Sequence, residues 1–138
     1  ASNGPIVLIA QGFAVNELRV ADYAQLTANG IISSEMTIKN EPDLVRSMAR
    51  ALARGIEDTI ANPDDAYEIS LKYVENLKDQ DKNVQMQVLI TSIEFWEAER
   101  IGFSDPQAWE NMNDLLVKME LIPAPVDLSK AFTNEFVP

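Results

Sequence analysis

One helix constrains the reading of this chain more than any other feature. Leu44, Met48, Leu52, Ile56 and Ile60 recur every four residues, with Val45 and Ala49 beside them. Positions four apart share one face of an α-helix, so the spacing predicts a broad apolar face over about five turns. Its start is also written in the sequence. Asn40 can cap Glu41-Pro42-Asp43, which sets a proline and two acids in the first turn, where the helix dipole favours negative charge. Asn62-Pro63 stops this helix and opens the next, with Asp64 and Asp65 in the new first turn.

The same grammar continues downstream. In the second helix Ala66, Ile69 and Tyr73 form one stripe and Tyr67, Leu71 and Val74 another, which predicts burial on more than one side. The polar stretch Lys78-Asp79-Gln80-Asp81-Lys82-Asn83 reads as a loop. A third helix carries Val84, Val88, Leu89, Ile93 and Trp96, and Arg100-Ile101-Gly102-Phe103 ends it. Asp105-Pro106 opens a fourth with Trp109, Met112, Leu116 and Met119. Pro123 and Pro125 break the chain, and Asp127-Leu128-Ser129-Lys130 begins a short last turn.

The first part of the chain reads differently. Pro5 to Ala10 is an apolar run too short to assign to strand or helix, and Gln11-Gly12 breaks it. Phe13 to Val20 alternates loosely and suits a strand; Gly30 to Ser34, after the turn signal Asn29-Gly30, suits a second. Two strands do not make a stable sheet alone. The helical faces also carry more apolar surface than four short helices need among themselves. The expectation is an α/β fold, predominantly helical here with two or three short strands, whose partner strands lie outside this sequence.

Composition narrows the chemistry. The chain has no histidine, no cysteine and a formal net charge of -11. Missing cysteine excludes disulfides, a thiol nucleophile and thiolate metal sites; missing histidine removes the usual acid–base residue and zinc ligand. The acidic balance speaks against a nucleic-acid surface, which needs a basic footprint. No stretch approaches the roughly 20 apolar residues of a membrane span. Among the carboxylates, Glu57-Asp58 are adjacent and diverge on a helix, and Asp64-Asp65 are explained by capping, so neither pair reads as catalytic or metal-binding. Trp96, Trp109, Tyr67 and Tyr73 sit at helical apolar positions and read as core. Tyr23 differs: in Arg19-Val20-Ala21-Asp22-Tyr23 it falls between a strand and a turn, where a side chain can face a cleft.

An ordered set of short motifs then carries a resemblance. Gly12-Phe13-Ala14-Val15-Asn16, Arg19 to Tyr23, and Ala28-Asn29-Gly30-Ile31-Ile32 come first. Asn40-Glu41-Pro42-Asp43-Leu44-Val45-Arg46 and Ala61-Asn62-Pro63-Asp64-Asp65-Ala66 follow. Gly102-Phe103-Ser104-Asp105-Pro106 with Trp109, and the ending Phe132-Thr133-Asn134-Glu135-Phe136-Val137-Pro138, complete the series. Together they resemble the ABC-transporter substrate-binding proteins of the thiamine-pyrimidine-precursor type.

The resemblance implies the C-terminal portion of a type II periplasmic-binding-protein fold. Residues 1–32 would be the end of lobe two and the crossover strands, and 33–138 the helical C-terminal part of lobe one. It implies an extracytoplasmic solute-binding component of an ABC importer, periplasmic or anchored outside the cell. Its partners would be a small flat heterocycle (a thiamine pyrimidine precursor or a riboflavin-like molecule), an ABC permease and the upstream half of the same protein. It implies no catalytic residue, metal or cofactor. Asn3 matches an asparagine of the family's "N-N-E-P" ligand loop, in which Gly4 here replaces the acidic residue and Pro5 is kept. Asp22, Tyr23 and Asn29 are the other ligand-binding candidates. Two alternatives stand beside this reading: a relative of the fungal pyrimidine-precursor synthases, which use a histidine and pyridoxal phosphate, and a self-contained helical interaction module.

Overall fold

A computed structural model describes residues 3–138, with side chains from Gly4 onward. Six α-helices run Asn3–Ala10 (α1), Glu35–Asn40 (α2), Pro42–Ala61 (α3), Pro63–Ser70 (α4), Lys82–Trp96 (α5) and Pro106–Lys118 (α6). Single 3-10 turns lie at Val20–Asp22, Leu77–Asp79 and Leu128–Lys130. Among the described residues no helix is long and apolar enough to cross a membrane.

The strands expected of an α/β fold are not there: no strand occurs among the described residues. The run Pro5 to Ala10 lies within α1, which closes where Gly12 takes φ +87 and its N–H reaches back to the Ile9 carbonyl at 2.9 Å. Residues 13–19 and 23–34 carry no regular structure, although Arg19 (φ -79, ψ 112) and Ser34 (φ -76, ψ 148) hold extended dihedrals. An extended segment becomes a strand only when another chain segment pairs with its peptide groups, and none does so here.

The chain forms two compact units. One comprises residues 3–17 and Leu52–Ile101; the other comprises Leu18–Ala51 and Gly102–Pro138. The long helix α3 contributes its two halves to different units.

In the first unit α5 packs against both α1 and α4. Asn62 caps α4, its side chain accepting from the Asp65 N–H at 3.2 Å, and Asp81 caps α5 through the Asn83 and Val84 N–H groups. The buried positions are Ala53, Tyr67 and Ile93. Helix α4 ends at Ser70, one turn earlier than its apolar stripes suggest. The two tyrosines therefore part company: Tyr67 is 5% exposed and Tyr73, beyond the helix, 83%. The ammonium of Lys82 sits 5.2 Å from the centre of the Tyr67 ring and 2.8 Å from Glu68 Oε1. The hydrogen bond to Glu68, and then the charge of that carboxylate, raise the Lys82 pKa above the ordinary lysine value.

In the second unit one non-helical residue, Glu41 (φ -133, ψ 52), separates α2 from α3. Asn40 is the last residue of α2 rather than a cap for α3; the Leu44 and Val45 N–H groups bond instead to the Glu41 carbonyl, at 3.1 and 3.2 Å. Along α3 the covered stripe is Val45, Ala49, Ala53, Ile56 and Ile60, while Leu44, Met48 and Leu52 are exposed. The broad apolar face exists, but its covered edge runs through Val45, Ala49 and Ala53 rather than through Leu44, Met48 and Leu52.

Two asparagines tie distant segments of this unit together. Asn113, buried on α6, accepts from the Val126 N–H at 3.1 Å and donates to the Val126 carbonyl at 3.3 Å. Asn134 does the same to Ser104, accepting from its N–H and donating to its carbonyl, both at 2.9 Å. A side-chain amide offers the donor and acceptor that a neighbouring strand would offer. The Trp109 ring stacks on Phe132 at 5.0 Å with 4° between the planes, while its buried Nε1–H finds no acceptor among the described residues. Arg46 lies 5.5 Å from the Phe136 ring centre. Gly102, at φ +84, lets the chain turn beside Val137.

Candidate functional site

The segment after Leu18 builds the second unit's recess. In the 3-10 turn Val20–Asp22, the Asp22 N–H bonds to the Arg19 carbonyl, and the Tyr23 and Ala24 N–H groups both bond to that of Val20, each at 3.0 Å. Val20, Ala21, Ala24, Gln25, Leu26 and Thr27, with Met112 of α6, wall an open recess of about 380 Å³.

Gln25 fastens this wall to α6. Its Nε2 donates to Asp105 Oδ2 at 2.6 Å, and Asn111 Nδ2 donates to its backbone carbonyl at 2.9 Å. Asp105 also caps α6 by accepting from the Gln107 N–H at 2.9 Å. One carboxylate thus serves the helix start and the recess wall. The Gln25 side-chain carbonyl has no hydrogen-bond partner among the described residues.

The lining combines apolar contacts from Val20, Leu26 and Met112 with the Thr27 hydroxyl and the Gln25 amide. Such a wall recognises a small molecule by shape and by a few hydrogen bonds. None of the lining side chains titrates near neutral pH, so the wall itself supplies no acid–base group. No cluster of three or more acidic side chains suited to a metal ion occurs among the described residues. A recess of about 440 Å³ in the first unit is walled by Leu71 to Asn76 with Lys78 and Asp79, a single local stretch of turns.

Asp22 and Tyr23 lie on the 3-10 turn and its edge, both exposed, Tyr23 to 80%. Asn29 is exposed on the irregular stretch that follows. None of the three lines the recess; their neighbours Ala21, Ala24 and Gln25 do. Asn3 opens α1 in the other unit, and its side chain lies outside the described residues. Sequence reasoning missed Gln25, Thr27 and Met112. Met112 resembled any other member of an apolar helical stripe, and Gln25 is set by a partner 80 positions away, for which a single sequence holds no local signal.

The family model described as "NMT1/THI5 like" matches residues 3–66, from α1 through the recess wall and α3 into α4. Over its whole length the chain is 43% identical to the riboflavin-binding protein RibY of Chloroflexus aurantiacus. It spans 41% of that relative's length.

Proposed function

We propose that the chain, similar to the NMT1/THI5-like family over residues 3–66, forms part of an extracytoplasmic solute-binding protein of an ABC importer, whose ligand is a flat heterocycle of the riboflavin kind. The observation that carries this reading is the 43% identity, over all of the chain, to a protein named for binding riboflavin. The recess is consistent with capture rather than conversion, because its lining binds by apolar contact and neutral hydrogen bonds. The exposed Tyr23 ring offers a stacking surface for a planar ligand, and Asn29 carries an amide able to meet the mixed donor–acceptor edge of a flavin or pyrimidine ring, while Asn3 is a ligand candidate by the resemblance alone. Asp22, exposed on the same turn, is the fourth candidate. Gly4, standing where the resemblance expects an acidic residue, favours the flavin over an aminopyrimidine, whose amino groups a carboxylate would suit. Release to a permease follows from the same role.

Riboflavin fluorescence titrated with the intact protein tests the reading. Saturable quenching at one ligand per chain is the expected result. Calorimetric binding of a hydroxymethylpyrimidine with no flavin quenching would reassign the ligand. An absorbing pyridoxal adduct would replace the transport role with the synthase one. Tyr23→Ala is expected to weaken flavin binding while leaving the unfolding transition unmoved, and unchanged quenching would remove Tyr23 from the site.

A further inference from the structure

We propose that Asn29 is a site of spontaneous deamidation, set by the backbone around it. Asn29 is exposed, as are Ala28 and Gly30, in a stretch without regular structure. Among the described residues its side-chain amide makes no hydrogen bond, and none of their atoms comes within 4 Å of a β-carbon built on Gly30. Glycine is the one residue whose missing side chain leaves the following peptide nitrogen sterically free to reach the asparagine side-chain carbon.

The reaction needs only water and hydroxide. The Gly30 amide nitrogen gives up its proton and attacks the side-chain carbonyl carbon of Asn29, forming a new C–N bond. The bond from that carbon to Nδ2 breaks, and Nδ2 leaves as ammonia with the proton returned from water. The resulting five-membered succinimide is opened by water at either carbonyl, giving aspartate or isoaspartate. The sum is amide plus water to carboxylate plus ammonium, with no change of oxidation state.

Other asparagines are held against this route. Asn113 and Asn134 spend both ends of their amides on Val126 and Ser104. Asn111 donates to the Gln25 carbonyl. Asn62 precedes Pro63, which has no N–H to attack with. Asn3, which also precedes a glycine, opens α1, where helical backbone turns the next peptide nitrogen away. The product at Asn29 adds one negative charge to a chain already at -11. This proposal stands independently of the ligand reading.

Incubating the intact native protein at mildly alkaline pH and mapping its tryptic peptides tests it. The peptide of residues 20–39 contains Asn29 as its single asparagine. It should gain the mass of an amide-to-carboxylate exchange many-fold faster than the peptides bearing Asn113 or Asn134, and it should become a methyl acceptor for an isoaspartate methyltransferase. Gly30→Ala should slow the gain several-fold with an unchanged circular dichroism spectrum, because an added methyl there meets no neighbour. Conversion no faster than at Asn134 would overturn the proposal. So would conversion that appears only after unfolding in urea, which would mean that the native fold shields Asn29.

Discussion

Replacing Asn113 by alanine removes both bonds that tie α6 to Val126, at 3.1 and 3.3 Å. A neutral hydrogen bond contributes about 1 kcal/mol net, and the cost rises when the abandoned partner stays dry. Val126 is 51% exposed, so water can reach its freed peptide groups and the penalty stays near the lower bound. The working figure is therefore about 2 kcal/mol, close to a thirtyfold change in the ratio of folded to unfolded protein. Urea unfolding of the intact protein, followed through Trp109 in a Trp96→Phe background, reads the unit that holds Asn113. The midpoint should fall while the slope against urea stays constant, as for a loss of stability without a change in exposed surface. Asn113→Asp is the discriminating variant. It keeps an acceptor for the Val126 N–H but turns a carboxylate oxygen toward the Val126 carbonyl, so it should be less stable than the alanine variant near neutral pH. A loss below about 0.5 kcal/mol for alanine, the range of an ordinary surface substitution, would refute the reasoning. So would an aspartate variant as stable as the natural protein.

Trp109→Ala should cost about 3 kcal/mol in urea unfolding followed by far-UV circular dichroism, the low end for aromatic truncation because the ring is only partly buried. Trp109→Phe should cost far less, since it keeps the stack on Phe132 and deletes an unpaired buried donor. Tyr73→Ser should shift stability by no more than about 0.5 kcal/mol, whereas Tyr67→Ala should unfold the first unit at distinctly lower urea, reflecting their opposite exposures. Glu68→Gln should lower the Lys82 pKa followed by NMR of its side chain. Because the folded-state value is raised, the pairing stabilises fully below the ordinary lysine pKa and is lost as pH rises through the shifted one, so the variant should differ from the natural protein least at high pH.

What could be read from the sequence was local. Asp105 and Asn62 announce α6 and α4 because a cap and the helix it closes lie within three residues of each other. The strands were misread for the complementary reason: Phe13 to Val20 and Gly30 to Ser34 have strand-like composition, yet pairing depends on what lies alongside. Periodicity also left rotation about the helix axis open. On α3 it drew Leu44, Met48, Leu52, Ile56 and Ile60 with Val45 and Ala49 beside them, and packing covers Val45, Ala49, Ala53, Ile56 and Ile60 while Leu44, Met48 and Leu52 stay exposed. The same limit applies to the recess. Asp22 and Tyr23 stand on the turn beside the recess, while its wall is made by the neutral residues around them, with Gln25 reaching Asp105.

The amide ties of the second unit carry one more consequence. Asn113, Asn134 and Asn111 hold their partners with groups that neither gain nor lose a proton between strong acid and strong base. Each of these three ties joins a side-chain amide to a backbone group, so none of them has an ionisable end. Added salt should therefore not loosen these ties, since neither end of any of them carries a charge. The strongly negative surface is free to respond to its surroundings while the scaffold beneath it does not.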